Sequence, residues 1–382
     1  MFFGFCNMAV FYSFYTYLGQ IGIPIAWRGF LVSLEPLMAF SLRLFLIPYL
    51  TSQNTRSLTF LMTAACATLS VVLFGYVWAY SLLSLILLRI VHGSAFVLLI
   101  SVSYTLLAKL IPPERSAQAF GLVSITALLP YSLVPLLTER LLTMLNNEAY
   151  VYAFVGVLGL PAAALAWRMR QRLVITTFPQ EPKKSSNKLF PSLPPQQVLA
   201  LLTVSFLYYF SYATVFYFIK NLVASSTVGL FFSLFSAVML GMRLLTGKFM
   251  DRVPKNTVLL LTSAAWIVVF ILLTQQNAPI MFYAMAVGYG LCVSLLFPIL
   301  NAEIFIQSTA DTRAANTNMV LFTMDAGYFL SPVLCGLLLT NGSPVSLLFH
   351  LCAGCILISM FFIYSIRRKP CNLNVITPQH LS

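Results

Sequence analysis

Residues 80–108 read YSLLSLILLRIVHGSAFVLLISVSYTLLA, and Arg89 is the only one of them that is charged at neutral pH. A helix rises about 1.5 Å per residue, so this stretch is longer than the roughly 30 Å of hydrocarbon in a bilayer. It therefore predicts a membrane-spanning helix. The lone arginine lies deep in that span, where a charge is costly and marks a candidate functional position.

Similar apolar runs occur along the whole chain. Of its 382 residues 60% are hydrophobic and only 8% are charged, with a mean hydropathy of +0.90. A soluble domain carries about a quarter charged residues, so lipid must be the solvent for most of this chain. We predict an all-α membrane protein with twelve transmembrane helices, near residues 2–20, 29–49, 58–77, 80–108, 117–137, 150–167, 198–218, 228–248, 257–273, 279–304, 315–339 and 346–364.

The spans divide into two pseudo-symmetric bundles of six. We expect an N-terminal bundle at 1–167, a cytoplasmic linker loop rich in Pro, Lys and Ser at 168–197, a C-terminal bundle at 198–369 and a short cytoplasmic tail at 370–382. A near-constant shift between the halves indicates an internal duplication, in the parallel-repeat arrangement. The matched residues include Tyr12 and Tyr212, Gly29 and Gly229, Arg43 and Arg243, and Pro135 and Pro332.

The net charge of +13 is distributed as a membrane topology signal. With both termini in the cytoplasm, the cytoplasmic gaps hold sixteen of the Lys and Arg residues and the outer gaps hold three. This is a strong positive-inside bias, and we expect a multi-pass protein of the plasma (bacterial inner) membrane. Because the basic residues do not gather on one folded face, we expect no nucleic acid partner.

One loop sequence carries a family resemblance. Residues 243–252, RLLTGKFMDR, follow the eighth span and resemble the G-x-x-x-D-R loop motif of the major facilitator superfamily. The resemblance implies that superfamily's two-bundle fold and an efflux-permease-like transporter. It also implies a cytoplasmic gate. The residues it assigns to that gate are Arg43, Arg243, Gly247, Asp251 and Arg252, although in the first half only Arg43 survives.

Two further patterns are similar to motifs of the same superfamily. Arg89 and Gly93 match the buried R-x-x-x-G of proton-coupled members, whereas residues 327–336, GYFLSPVLCG, resemble a small-residue pattern associated with antiporters. Small residues also allow helices to pack closely and to bend, so a pure packing role for the second pattern is an equal alternative.

Three ionisable residues lie deep in spans and are the candidates for proton coupling: Glu35, Arg89 and Asp325. Burial favours the neutral form of a carboxyl group and a nearby arginine favours its charged form, so alternating surroundings could move a proton. Alternatively, Glu35 could fill the gap that Pro36 leaves in helix hydrogen bonding. Asp325 could instead hydrogen-bond Tyr328. For His92 we favour a packing role over a proton relay.

The first and seventh spans occupy matching places in the two halves and, by the resemblance, line the substrate cavity. The candidate cavity residues are Tyr12, Tyr17, Gln20, Tyr208, Tyr209 and Tyr212. Tyrosine offers an apolar face with a polar tip, which suits an amphipathic or aromatic organic solute. The alternative is that some of these side chains face lipid.

We therefore expect a secondary transporter that moves a small organic solute by alternating access, through proton-coupled export (antiport). Proton-linked uptake of a nutrient and a non-transporting membrane receptor on the same fold are the alternatives. We expect no enzyme activity, no cofactor and no metal site, because the motifs for them are absent from the sequence. The expected partners are a small-molecule substrate, protons and the lipid bilayer, and we expect a monomer.

Overall fold

A computed structural model describes residues 1–110, 116–173, 195–223, 228–250, 254–275, 278–308 and 313–367. These residues form α-helices and two short 3-10 segments, with no β-strand among them. The helices are α1 (Phe2–Val10), α2 (Phe14–Gln20), α3 (Ile25–Ser52), α4 (Thr55–Gly75), α5 (Leu82–Leu110), α6 (Ser116–Leu145), α7 (Glu148–Val157), α8 (Gly159–Leu173), α9 (Gln196–Leu222), α10 (Val228–Met250), α11 (Lys255–Thr274), α12 (Pro279–Gln307), α13 (Arg313–Thr340) and α14 (Val345–Arg367).

The helices confirm the fold class. Ten helical segments in the described residues are long and apolar enough to cross a membrane, and Val228–Arg243 in α10 is a shorter apolar segment. The first predicted span is α1 and α2, which a 3-10 segment at Phe11–Ser13 separates. Each predicted span thus coincides with helical structure.

Two spans are interrupted where the sequence suggested continuous helices. The sixth consists of α7 and α8, which meet at Leu158. In the first, the 3-10 segment at Phe11–Ser13 contains neither proline nor glycine, so the local sequence carried no signal for it.

The internal duplication is visible as repeated helix contacts. A methyl group at Gly93 in α5 would lie 2.8 Å from the Cα of Glu35 in α3. A methyl group at Gly290 in α12 would lie 3.0 Å from the Cα of Phe235 in α10. Glu35 and Phe235 are separated by the same shift that relates the two halves of the sequence, so α3–α5 and α10–α12 pack in the same way.

The two halves also meet each other through a repeated contact. Gly29 at the start of α3 lies against the backbone of Pro332 in α13, and Gly229 at the start of α10 lies against that of Pro135 in α6. These contacts lie where α3 begins and α13 ends, which we call the outer end because the charge bias predicts that it faces outside. The absence of a Cβ at both glycines allows the halves to approach closely there.

Candidate functional site

The candidate site begins with a break in the hydrogen bonding of α3. Pro36 has no N–H, so the carbonyl of Val32 one turn earlier lacks its helical donor. The guanidinium of Arg89 in α5 supplies donors instead. Its Nη2 donates to the Val32 carbonyl at 2.8 Å and its Nε donates to the Leu31 carbonyl at 3.1 Å. Arg89, rather than Glu35, therefore fills the gap made by the proline.

The same guanidinium pairs with the first candidate carboxylate. Arg89 Nη1 lies 3.0 Å from Glu35 Oε2, and both side chains are almost fully buried. The cation also lies over two rings of the first span, 5.2 Å from the centre of Phe11 and 4.7 Å from that of Phe14. Ring faces and carbonyl oxygens both stabilise a buried cation. The structure thus brings two of the three coupling candidates together as an ion pair.

Gly93 explains the spacing of the R-x-x-x-G pattern. It lies one helical turn after Arg89 and packs against the backbone at Glu35. Because no side chain separates α5 from α3 at this point, Arg89 can reach both the free carbonyls and the carboxylate.

His92 belongs to a hydrogen-bonded chain beside this pair. Its Nδ1 lies 3.0 Å from the hydroxyl of Tyr76, and its Nε2 lies 2.9 Å from Asn7 Oδ1. The ring is fully buried and packs edge-on against Phe11, with 4.9 Å between the ring centres. His92 thus packs in the core while both of its ring nitrogens lie within hydrogen-bond distance of side chains, and the choice between a packing role and a proton relay stays a prediction.

Asp325 pairs with a residue that the sequence assigned to the cytoplasmic gate. Arg43 Nε donates to Asp325 Oδ2, and Arg43 Nη2 donates to Oδ1 at 3.1 Å. Both residues are buried, and the pair joins α3 of the first half to α13 of the second. Asp325 is therefore held across the two bundles rather than by Tyr328 in its own helix.

The structure defines fewer contacts for the other gate candidates. Arg243 is exposed on α10 and lies within electrostatic range of Tyr104 and Tyr209. Gly247 belongs to the backbone of α10, whereas Asp251 and Arg252 lie outside the described residues.

The candidate cavity tyrosines separate into two groups. Tyr212 is partly accessible although rings from three other helices surround it: Phe235 at 6.4 Å, Tyr289 at 6.2 Å, and Tyr328 at 6.1 Å. Tyr209 is also partly accessible and lies 4.5 Å from Phe297 between ring centres. Their exposed parts thus belong to the interior of the bundle rather than to its lipid surface.

The remaining cavity candidates have other surroundings. Tyr12 is fully buried between the halves, with its ring 5.3 Å from Phe232 of α10. Tyr17 is buried within the first bundle, 5.5 Å from the ring of Tyr152, and Gln20 is exposed at the end of α2. Tyr208 faces α11, where its hydroxyl lies 2.5 Å from Ser263 Oγ.

Sequence reasoning missed a further buried carboxylate, Glu148. It follows Asn147, which caps the start of α7, and it lies just before the span that the sequence predicts at 150–167. Lys220, 2.9 Å away, was counted only as an outer charge. The one usable signal was an acidic residue just before the span predicted at 150–167, which is also a common helix-stabilising position.

Comparisons with known proteins concern the fold. The sequence model of the Major Facilitator Superfamily matches residues 201–377. No curated protein sequence matches the chain. Solved structures with the same fold include a mutant of the nucleoside transporter NupG, with 14% identity, a TM-score of 0.76, and 96% of this chain and 97% of that chain covered.

Two other structures have the same architecture at similarly low identity. A bacterial homologue of the human lysosomal transporter Spinster, in an inward-facing and occupied conformation, has 14% identity and a TM-score of 0.71, covering 96% of this chain and 94% of that one. The human organic anion transporter MFSD10 has 14% identity and a TM-score of 0.63, covering 95% and 96%. The chain thus shares its fold with these transporters over nearly its whole length, and its residues 201–377 match the Major Facilitator Superfamily model.

Proposed function

We propose that the protein is a proton-coupled secondary transporter that moves a small organic solute by alternating access. The observation that carries this proposal is the buried ion pair of Glu35 and Arg89 over the proline break of α3. A charge deep in a span costs about 3 kcal/mol or more, which pairing offsets. Protonation of Glu35 would remove the charge partner of Arg89 and leave it with the backbone carbonyls and the two rings. Arg89 and the helices that it contacts would then be free to shift.

The second pair supports alternating access. Arg43 and Asp325 join the two bundles, so the pair must loosen when the bundles move apart at that level. Protonation of Asp325 removes the negative charge of this pair and favours separation of the bundles, whereas ionisation of Asp325 restores the pair. Glu35 and Asp325 each face an arginine, and a change of conformation can separate each pair. The affinity of each carboxylate for a proton thus depends on the conformation of the protein.

The solute is proposed to be aromatic or amphipathic. Partly accessible Tyr209 and Tyr212, among the rings of the second bundle, offer stacking faces with hydroxyl groups. Tyr12 is buried between the halves and therefore, like Tyr17, Tyr208 and Gln20, contributes less directly. The nucleoside and organic anion transporters with the same fold suggest two solute classes to test first.

We propose export as the direction, on the resemblance of residues 327–336 to the antiporter pattern. Gly327 packs against the backbone of α9 and Gly336 against Gly29, contacts that equally suit a packing role. Uptake is therefore the competing direction. Solute flux in inside-out vesicles with an imposed pH gradient separates the two.

The test begins with a thermal-stability screen of the purified protein against nucleosides and aromatic organic anions, because a bound substrate raises Tm by mass action. The stabilising solute is then followed in proteoliposomes with an imposed pH gradient. We expect Glu35→Gln and Asp325→Asn to reduce gradient-driven accumulation by about tenfold or more, within the range of typical coupling free energies. Solute exchange without a gradient should persist in both variants.

Glu303→Gln is the matched control. Glu303 is also a buried carboxylate in a span, but it accepts a hydrogen bond from Gln307 of its own helix at 3.0 Å. This variant should keep gradient-driven transport. If Glu35→Gln and Asp325→Asn both keep it as well, these carboxylates do not carry the proton.

A further inference from the structure

Glu148 forms a buried polar cluster at the outer end. The residue is only 1% exposed, and its two carboxylate oxygens have three side-chain partners. Oε1 lies 2.9 Å from Lys220 Nζ, while Oε2 accepts hydrogen bonds from Ser13 Oγ at 2.6 Å and from the Tyr152 hydroxyl at 2.9 Å. Hydrogen bonds to an ionised group of this kind are stronger than those between neutral groups.

The cluster crosses from one bundle to the other. Glu148, Ser13 and Tyr152 belong to the first half, whereas Lys220 lies near the end of α9 in the second. A second carboxylate nearby also links the two bundles. Glu139 of α6 accepts a hydrogen bond at 2.6 Å from the backbone N–H of Gly229, in the first turn of α10.

From this geometry we propose that Glu148 and Lys220 form the charge latch of the outer gate. Opening the outer end must separate α7 from α9 and so break this pair. Removing one partner of a buried pair leaves the other charge unpaired and destabilises the closed arrangement. Glu139 at the helix start adds a favourable interaction with the dipole of α10 in the same closed state.

The latch is connected to the central ion pair through the break in the first span. Ser13, at the end of the 3-10 segment, donates to Glu148. Phe11, at its start, stacks on Tyr152 with 4.4 Å between ring centres and lies beneath the Arg89 guanidinium. A shift of Arg89 would thus be transmitted to Glu148 through the three residues of the 3-10 segment. This second step rests on the proposed function.

Thr16 provides a reporter for the state of the gate. It is half-buried between the halves, with its hydroxyl 3.5 Å from Asn221 Oδ1 of α9. Thr16→Cys in proteoliposomes should react slowly with a membrane-impermeant maleimide added outside, and mass spectrometry separates this site from the native cysteines. We expect Lys220→Met to raise the rate of labelling by about tenfold or more, because a buried charge is left unpaired in the closed state.

Two variants act as controls and one guards against misfolding. Lys220→Arg retains the cation and should label like the parent protein. Arg140→Met removes an exposed cation near the same end and should also leave the rate unchanged. Glu148→Gln with Lys220→Met removes both charges, avoids an unpaired one and should still label faster than the parent. Equal labelling of this double variant, Lys220→Met and the parent would overturn the latch.

A double-mutant cycle tests the connection to the central pair. The labelling rate is measured for Glu35→Gln, for Lys220→Met and for the double variant. We expect the effect of the double variant, expressed as a free energy, to differ from the sum of the two single effects. Additivity within about twofold, as for independent sites, would overturn the connection. The readout needs no substrate. Faster labelling of Lys220→Met without any pH-driven transport would therefore reject the proposed function and leave the latch standing.

Discussion

At the scale of single residues, the side chain of Arg89 joins α5 to α3 in the interior of the first bundle. One guanidinium meets the carbonyls of Leu31 and Val32 and the carboxylate of Glu35. The planar fork of arginine can serve all three acceptors at fixed angles, whereas a lysine ammonium is a point charge. A lysine at position 89 would therefore keep the charge of the side chain and lose its hydrogen-bonding geometry.

Arg89→Lys should therefore disable coupling while keeping the charge. We expect gradient-driven transport to fall by about tenfold or more, because an ammonium cannot satisfy the two carbonyls and the carboxylate together. Solute flux in proteoliposomes measures the loss, with Tm as the check on folding. Arg170→Lys is the control, since Arg170 lies over the exposed ring of Trp167. Unchanged transport in Arg89→Lys would show that charge alone suffices.

The sequence located these residues but not their partners. Hydropathy identified Glu35, Arg89 and Asp325 as charges deep in spans. A charged residue in an apolar run can be recognised without knowing which way its helix faces. Which charge faces which depends on how helices rotate and pack, so the pairing of Asp325 with Arg43 across the halves was not predictable. Glu148 was missed because its burial depends on α9, a helix far along the chain.

At the scale of helices, a proline and a glycine create the central site together. Pro36 frees a carbonyl in α3, and Gly93 lets α5 approach closely enough for Arg89 to reach it. The second half keeps the close approach at Gly290 but has Phe235 and Ala286 where the first half has Glu35 and Arg89. The helix pair is therefore a shared packing unit, and only the first copy carries charge at these two positions.

Gly93→Ala and Gly290→Ala separate packing from coupling. Methyl groups there would lie 2.7 Å from the carbonyl oxygens of Glu35 and Phe235, respectively. Overpacking of this kind costs about 1–3 kcal/mol, so both variants should lower Tm. Only Gly93→Ala should also abolish gradient-driven transport, because it displaces Glu35 from Arg89.

Gly354→Ala is the matched control for this pair, since a methyl group at Gly354 of α14 meets nothing within 4 Å. It should keep Tm or raise it, because alanine favours helix. Loss of coupling in Gly290→Ala to the same extent as in Gly93→Ala would contradict the assignment of the charge site to the first bundle.

At the scale of the whole molecule, the halves share a frame and differ in chemistry. Gly29 meets Pro332 as Gly229 meets Pro135, which gives the interface an approximate two-fold symmetry. The first half contributes the Glu35–Arg89 pair, and the second contributes a lattice of rings around Tyr212. In the proposed mechanism, proton chemistry and solute contact therefore fall mainly on opposite sides of one interface, where movement of the halves can link them.

This organisation predicts that the two bundles assemble as separate chains. Residues 1–182 and 183–382, produced together, should copurify and keep a Tm close to that of the parent protein, because each fragment contains a whole bundle and the interface needs no covalent link. A cut between Gly342 and Ser343, in the turn before α14, is the comparison, since it removes one helix from the core of the second bundle. That protein should have a lower Tm and less gradient-driven transport. If the two cuts prove equally damaging, the bundles are not independent units and the domain boundaries predicted from the sequence are wrong.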